Sequence, residues 1–573
     1  PISANGVFKE DTAHVAGQHV MKAHKDLISI LDERQVLLNC ESYVHSYPYC
    51  WRHKTPIIFN AAPQWFIGMD KANLLSSATE AVDQVEWIPN WGKARIDSML
   101  QSRPDWCISR QRSWGVPITL FIHKETGELH ENTLEMIETI ALEIEKKGIE
   151  AWFSSEPIDF IGNDSESYEK VTDTLDVWFD SGVTHFSVLK ENEDLSYPAD
   201  LYLEGSDQHR GWFQSSLLTG MAINNETPYR TALTHGFVVD SNGRKMSKSL
   251  GNVISPQSVW NKRGADILRA WVASTDFRNE MNFSDEIIDR TSDSYRRVRN
   301  TIRFLMSNLF DFDHSQDLIN PDNYTELDKW IVLKAKNLQE EIKQDYENYE
   351  IHLAFQKVLN FCTNELGGFY LDIIKDRLYT SKQNGNARRS AQSAIYQLLN
   401  ALITWIAPIL SYTAEEAFLE INKNNSSVFL EEWFSNWADI SKTIDEETWD
   451  LLIEIKTEVN KLLEEKRNDG EIGSSLEAEV TLHCDDQLFI KLSEISSELK
   501  FLFITSKANL IHLDGDKINT EIEGLKITIN QMKAKKCDRC WHYVEELIDY
   551  KEEKICNRCK ENIEGKGEVR FYI

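Results

Sequence analysis

Asp240-Ser241-Asn242-Gly243-Arg244-Lys245-Met246-Ser247-Lys248-Ser249-Leu250-Gly251-Asn252 is the most chemically pointed stretch of this 573-residue chain. The apolar run 232–239 just ahead of it reads as a strand, and Asn242-Gly243 as the turn that follows. A loop of this kind presents two ammonium groups and several hydroxyls, and phosphate is the ligand that suits them. When an α-phosphate is attacked and pyrophosphate leaves, charge grows on the leaving oxygens. Ammonium groups placed there favour the transition state over the ground state. A bare Lys-x-x-Lys is more often a solvated basic loop, so the weight of the stretch comes from what surrounds it.

Working outward, short apolar runs at 55–60, 118–123, 201–203 and 232–239 alternate with helix-like stretches between about 46 and 290, which is an α/β pattern. The spacing of Leu134, Ile137, Ile140, Leu142 and Ile144 predicts a helix over 133–147 that stops at Gly148. The segment 5–20 reads as polar and strand-like. Past about 290 the periodicity becomes helical, with Tyr295, Val298, Ile302, Leu305 and Leu309 three or four apart, and likewise Ile395, Leu398, Leu399, Leu402, Ile406 and Leu410. Pro408 should end or kink the second of these helices. A Lys/Glu-rich helix over 449–467 and alternating segments near 477–483 and 525–529 complete the reading with a small α+β unit.

The strand ending at Glu204-Gly205-Ser206-Asp207-Gln208 runs into a helix, and a carboxylate at the carboxyl end of a strand is where open parallel sheets take ligands. Glu204 suits a cationic amino group, Asp207 and Gln208 suit ribose or amide groups, and Gly205 lets a ligand approach the main chain. Helix capping by Ser206 or Asp207 is the competing role. Cys537-x-x-Cys540 and Cys556-x-x-Cys559, fifteen residues apart, have the spacing of a closed four-thiolate zinc site, in which the metal folds a knuckle and does no chemistry. Lys533, Lys535, Lys536, Arg539, Lys560 and Trp541 around it suit RNA backbone and bases. Cys50-Trp51-Arg52-His53 is a lone Cys-x-x-His and is read as metal-free. Arg296, Arg299 and Arg303 share one helix side and are either an RNA-facing patch or a solvated face paired with acids.

A net charge of −30 argues against generic nucleic-acid binding, so any RNA contact must be local. The length favours three or four domains. No apolar run is long enough to cross a bilayer and no signal pattern opens the chain, so a cytoplasmic monomer without membrane contact is expected. The first residue is Pro1 and the chain enters a strand-like segment at once, which reads as a truncation.

The 244–252 stretch resembles the Lys-Met-Ser-Lys-Ser signature of class I aminoacyl-tRNA synthetases. The segments Tyr202-Leu203-Glu204-Gly205-Ser206-Asp207-Gln208-His209-Arg210-Gly211-Trp212-Phe213, 105–115, 174–182 and 45–56 are similar to the bacterial isoleucyl branch of that family. The resemblance implies a partial Rossmann-type α/β catalytic domain, an α-helical anticodon-binding bundle, a small α+β junction domain and a C-terminal zinc knuckle. The expected boundaries are 1–45 for the tail of an editing domain, 46–290 catalytic, 291–440 anticodon-binding, 441–530 junction and 531–573 zinc-binding. It implies ligation of isoleucine to tRNA(Ile) through isoleucyl-adenylate, with ATP and magnesium. Lys245, Ser247, Lys248 and Ser249 would contact ATP, with Lys245 and Lys248 catalytic. Glu204, Gly205, Asp207 and Gln208 would hold the adenylate, and Trp178 and Trp212 would wall the isoleucine side chain. The segments 364–379 and 407–418 resemble packing motifs of the helical bundle. The family also has an early His-x-Gly-His-type motif, and no such string occurs here. The chain alone is therefore expected not to make adenylate. A valyl or leucyl enzyme, or a non-catalytic tRNA-binding protein derived from a synthetase, are the other readings.

Overall fold

The computed structural model describes every residue except 4, 51–52, 249, 423–425, 441–442 and 515–518. It divides into two compact units, Pro1–Thr234 and His235–Ile573.

The first unit is built on a three-stranded sheet in which Tyr229–His235 lies between Glu86–Ile88 and Ala199–Gly205. Glu86–Ile88 runs parallel to the central strand, with Trp87 opposite Ala232. Residues 231 to 234 are buried without alternation, as a strand covered on both faces requires. The helix Trp212–Asn224 buries every residue from Phe213 to Gly220 and packs on Leu74–Ala81 and Val177–Gly182. Their apolar side chains make one core that includes Trp87, Ile96, Trp106, Tyr202, Phe213, Leu217 and Tyr229.

A smaller core of Phe121, Met136, Ile140, Trp152 and Ile161 lies under the antiparallel pair Phe121–His123 and Tyr168–Lys170. The helix above it spans Thr133–Lys147 as the spacing predicts, and it ends at Gly148, whose φ is 79° and whose N–H reaches the Ile144 carbonyl. The buried stripe, however, runs through Met136 and Ile140, while Leu134 is 82% exposed. So thin a layer covers only a narrow face of the helix. Two expected strands are absent. The segment 5–20 carries only isolated bridges, and 55–60 only the bridge from Pro56 to Tyr49. Phe59, in the second segment, is largely exposed, and no strand among the described residues pairs with either run.

In the second unit the helix Asp285–Ser307 begins before the periodic residues do, where Ser284 accepts the Ile287 N–H as its cap. The bundle continues through Glu326–Glu347, Ile351–Asn360, Phe361–Tyr370, Leu371–Thr380, Asn386–Ile406 and Ser411–Ile421. Pro408 sits just past the end of Asn386–Ile406, as expected. Beyond it, Glu446–Asn468 packs on a sheet of order Lys507–His512, Ala478–Cys484, Leu525–Gln531. The first two strands are parallel and the last two antiparallel. Ala478, Val480, Leu482 and Cys484 are buried at every second position, so one sheet face meets the core. The strand Lys507–His512 had no clear alternation to announce it. No helix among the described residues is long and apolar enough to cross a membrane.

Two buried ionic clusters pin this unit. Arg377 grips Asp328 through two bonds of 2.7 and 2.8 Å, with Tyr370, Thr325 and Ser390 also donating to that carboxylate. Neither charged side chain is more than 1% exposed. Burial pushes the Asp328 carboxyl up, but Arg377 more than offsets it and holds the group below its ordinary range. Asp376 takes Arg558 at 2.6 and 2.7 Å and Arg570 at 2.6 Å, tying Leu371–Thr380 to the C-terminal segment. Here too burial is outweighed by the two guanidinium groups, and the carboxyl titrates far below the carboxylate range. Glu498 then accepts the N–H groups of Phe571, Tyr572 and Ile573, which seats the chain's last residues.

Replacing Asp328 by Ala leaves the Arg377 charge buried without a carboxylate, with only the Thr325 hydroxyl and the Ala387 carbonyl to accept from it, which costs about 3–5 kcal/mol. Urea denaturation should show a loss of that size, and a loss under about 1 kcal/mol would mean that water reaches the cluster. For Asp376 the stabilisation is present above the unfolded aspartate value near ~4 and is lost as pH falls below it. Amide exchange protection in 537–564 should therefore decline on acidification below about pH 4. In Asp376→Asn it should already be low at neutral pH and nearly flat with pH.

Candidate functional site

The 240–252 loop leaves Val238–Val239, which pairs parallel with Met281–Asn282, and all of these elements lie in the second unit. Asp240 organises the loop. Its carboxylate accepts the N–H groups of Asn242 and Arg244 at 2.9 and 3.0 Å, the Arg244 guanidinium at 3.0 and 3.1 Å, and the Asn252 amide at 3.0 Å. These bonds, that of Asn252 first, hold the Asp240 carboxyl well below its ordinary range. Asn252 turns its other amide atom to the Ser247 N–H at 2.9 Å, closing the loop on itself. Gly243 has φ 72°, the left-handed geometry that its turn needs. Met246 anchors the loop against the cluster of Val259, Ile267, Trp271, Met281, Phe283 and Ile288. Lys245 and Lys248 stay exposed, with the Lys245 ammonium 3.3 Å from the centroid of the Phe237 ring. Ser249 lies outside the described residues.

The Glu204 segment and both tryptophans lie in the first unit. The strand Ala199–Gly205 passes through the short turn Ser206–His209 into the helix Trp212–Asn224, with Glu204 half-buried, Gly205 buried and Asp207 exposed. Neither Ser206 nor Asp207 caps that helix. Gln208 does, its Oε1 accepting the Trp212 N–H at 3.1 Å. Trp212 donates its indole N–H to the Ser181 carbonyl at 2.9 Å and stacks on Tyr202, with centroids 4.0 Å apart and planes 8° from parallel. Trp178 keeps 41% of its surface exposed. Gln208, Trp212 and Trp178 all converge on Gly211. His209 is buried between Trp87, Trp91 and Phe213, with its Nδ1 3.1 Å from the Ser206 carbonyl, and burial lowers its pKa.

A residue that the sequence reading passed over controls this corner. Asp176, 6% exposed, accepts the Trp178 N–H, the Trp106 indole N–H at 3.2 Å and Arg110 at 3.1 Å. An Asp one residue before an apolar helical stretch is the signal that would have found it.

The four cysteines come together as expected. Their Sγ atoms all lie within 4.8 Å of one another and are buried. Cys537 and Cys559 are 3.8 Å apart, and Cys540 and Cys556 3.7 Å. Tetrahedral thiolates at ~2.3 Å from zinc are separated by about 3.8 Å, so the donor set fits that ion. Beside the knuckle, a cavity of about 430 Å³ is lined by Tyr379, Phe501, Ile504, Arg539, Trp541 and His542, among others. Trp541 and Ile504 both hold positive φ, 63° and 55°, and the buried Nε2 of His542 has no protein partner. Arg296 pairs with Asp293 and Arg299 with Glu416, so part of the basic helix face is neutralised. Arg299 and Arg303 line a cleft of about 310 Å³. In the lone Cys-x-x-His, Cys50 Sγ and His53 Nδ1 are 3.4 Å apart, while Trp51 and Arg52 are outside the described residues.

Residues 8–284 match the family described as tRNA synthetases class I (I, L, M and V), and residues 328–482 match the anticodon-binding domain of tRNA ligase. The whole chain is 53% identical to the isoleucine–tRNA ligase of Idiomarina loihiensis, of which it covers 61%. It is 51% identical, again over its full length, to that of Saccharophagus degradans, of which it covers 62%. The chain thus spans about three-fifths of the length of the curated relatives it matches. A solved Mycobacterium tuberculosis methionyl-tRNA synthetase in complex with methionyl-adenylate is 17% identical, with a TM-score of 0.47 over 69% of this chain and 70% of that one. With a catalytic-domain match that takes in the lysine loop and an anticodon-binding match over the helical bundle, the chain belongs to the class I tRNA synthetases.

Proposed function

We propose that this chain carries the lysine loop, the adenylate-binding strand end and the tRNA-binding region of an isoleucine–tRNA ligase. The observation that carries the reading is 53% identity to such a ligase along the whole chain, with both lysines of the loop exposed and held on an ordered turn. In the reaction, the isoleucine carboxylate attacks the α-phosphorus of ATP, pyrophosphate leaves, and isoleucyl-adenylate forms. A hydroxyl of the tRNA terminal ribose then attacks the acyl carbon and AMP leaves. Magnesium accompanies the ATP and offsets phosphate charge.

In this reading Lys245 and Lys248 meet the departing pyrophosphate, and Ser247 and Ser249 add hydroxyl donors. Glu204 receives the amino group of isoleucine, while Gly205, Asp207 and Gln208 line the adenylate. Trp178 and Trp212 enclose the branched side chain, since indole faces bury an aliphatic group without presenting polar atoms to it. Cys537, Cys540, Cys556 and Cys559 hold one structural zinc. Together with Trp541 and the cavity beside it, the knuckle and the helical bundle form the surface for tRNA(Ile), whose unstacked bases suit aromatic and basic side chains. The protein works as a monomer in the cytoplasm. The domain order in this reading is the tail of an editing domain over 1–45, a catalytic region over 46–290, a helical anticodon-binding region over 291–440, a junction region over 441–530 and the zinc knuckle over 531–573.

Isoleucine-dependent pyrophosphate exchange by the full-length protein tests the activity. Lys248→Ala should lower its turnover by about 100-fold while leaving the isoleucine KM within a few-fold, because the ammonium acts on charge that appears during displacement. An unchanged rate with a raised isoleucine KM would remove Lys248 from that role. Metal analysis should find one zinc per chain, lost when Cys556→Ser and Cys559→Ser are combined. Charging of tRNA should then fall much further than exchange, since the knuckle's folding depends on the metal. Normal charging by a metal-free variant would refute the zinc assignment.

A further inference from the structure

We propose that Gly211 is a specificity-determining residue, the hydrogen side chain that lets Trp178 and Gln208 close on the isoleucine pocket. The proposal rests on the reading of Trp178 and Trp212 as walls of that pocket. Its physical basis is a close approach around one residue. A Cβ on Gly211 would lie 2.4 Å from the Gln208 Oε1 and 2.8 and 2.9 Å from the Cη2 and Cζ3 atoms of Trp178. Contacts this short do not persist between real atoms, so any side chain at 211 displaces both neighbours.

Neither neighbour can yield by moving its backbone. Asp176 holds the Trp178 N–H at 3.4 Å, and is itself fixed by Trp106 and Arg110. One turn further on, Gly182 is packed so closely on Ser215 that a Cβ there would lie 3.1 Å from the Ser215 backbone. The helices Val177–Gly182 and Trp212–Asn224 are thereby locked side by side. Gln208 is committed to the Trp212 N–H, and Trp212 to the Ser181 carbonyl and the Tyr202 ring. The only soft coordinates are the ring torsion of Trp178, which faces solvent over part of its surface, and the Gln208 amide.

Isoleucine and valine differ by one methylene, and a pocket tells them apart only by packing against it. If the Trp178 ring swings inward, the longer side chain clashes first. If it swings outward, the extra methyl group loses its contacts first. Both displacements penalise isoleucine more than valine, so the expected sign does not depend on which occurs.

The experiment is pyrophosphate exchange by the full-length protein with isoleucine and with valine, for the parent, Gly211→Ala, Trp178→Phe and the double variant. Gly211→Ala should lower the isoleucine-to-valine ratio of kcat/KM by about tenfold, out of the roughly 10- to 200-fold that one methylene can supply. Phenylalanine lacks the outer ring atoms that a Cβ would meet. In the Trp178→Phe background, adding Gly211→Ala should therefore change the ratio by less than about twofold. An equal fall for both amino acids in Gly211→Ala, or the same factor in both backgrounds, overturns the proposal. A variant that only loosens the fold gives the first of these patterns, and the double variant, relieved of the overlap with the Trp178 ring and left with that on the Gln208 amide, still reports the coupling to Trp178. Absence of isoleucine-dependent exchange in the parent protein would instead overturn the functional reading itself.

Discussion

Helix Ala265–Ala273 is the clamp on which the second unit's functional geometry depends. Asp266, almost fully buried, accepts the N–H groups of Tyr412 and Thr413 and the Thr413 hydroxyl, so it serves the first turn of Ser411–Ile421, where unpaired N–H groups call for an anion. Three residues on, Arg269 donates at 2.8 Å to the carbonyls of Pro408 and Ile409, beyond the end of Asn386–Ile406, where unpaired carbonyls call for a cation. One turn of one helix thus satisfies both sides of the bend at Pro408. The same helix packs Ile267 and Trp271 into the small core that receives Met246. The lysine loop is therefore fixed to the helical bundle through charge complementarity at helix ends as well as apolar contact.

That anchoring separates what must be rigid from what must respond to ligand. Asp240 and Asn252 close the base of the loop with five hydrogen bonds or more between them, and Met246 pins its middle, but both lysines stay exposed, the Lys245 ammonium over the face of the Phe237 ring. An exposed lysine keeps its charge and reaches an anion by rotating side-chain torsions alone. At the strand end in the first unit the priorities reverse. Gln208 is tied to the Trp212 main chain, Trp212 to the Ser181 carbonyl and the Trp178 backbone to Asp176, so the proposed discrimination by shape rests on a frame in which the Trp178 ring is the main part left to turn.

Much of this was legible in the sequence, for identifiable reasons. Periodicity located Thr133–Lys147 with its glycine stop and the helix ending before Pro408, since those signals are local. Paired cysteines located the zinc-type cluster because spacing alone brings such thiols together. The misses are residues whose partners lie far along the chain. Asp176 meets Trp106 seventy positions away, Asp266 meets Thr413 at 147, and Asp376 meets Arg558 at 182. No window of sequence displays those pairs. The segments 5–20 and 55–60 failed as strands for a related reason, because β structure needs a neighbour and the pattern within one run does not supply it. Gly211 was quoted inside a motif and yet passed over, since the importance of a missing side chain appears only when its neighbours are in place.

A net charge of −30 looks unfavourable for a protein whose proposed partners are ATP and RNA, yet the arrangement of charge resolves the conflict. Several of the acidic groups are internally spent. Asp328, Asp376 and Asp311 are paired with Arg377, Arg558, Arg570 and Arg388 inside the second unit, and Asp266 and Glu498 serve backbone N–H groups. Exposed acids elsewhere are screened beyond a distance of about 8–10 Å at cellular ionic strength. What an approaching phosphate meets within that range is local, namely Lys245 and Lys248 on the loop, or Lys536, Arg539 and Trp541 at the knuckle. The overall repulsion then discourages nonspecific polyanion binding, while in the proposed function productive contact is confined to places where exposed cations are gathered. Binding through such patches depends on fit more than on long-range attraction, which is the regime in which one RNA can be told from another.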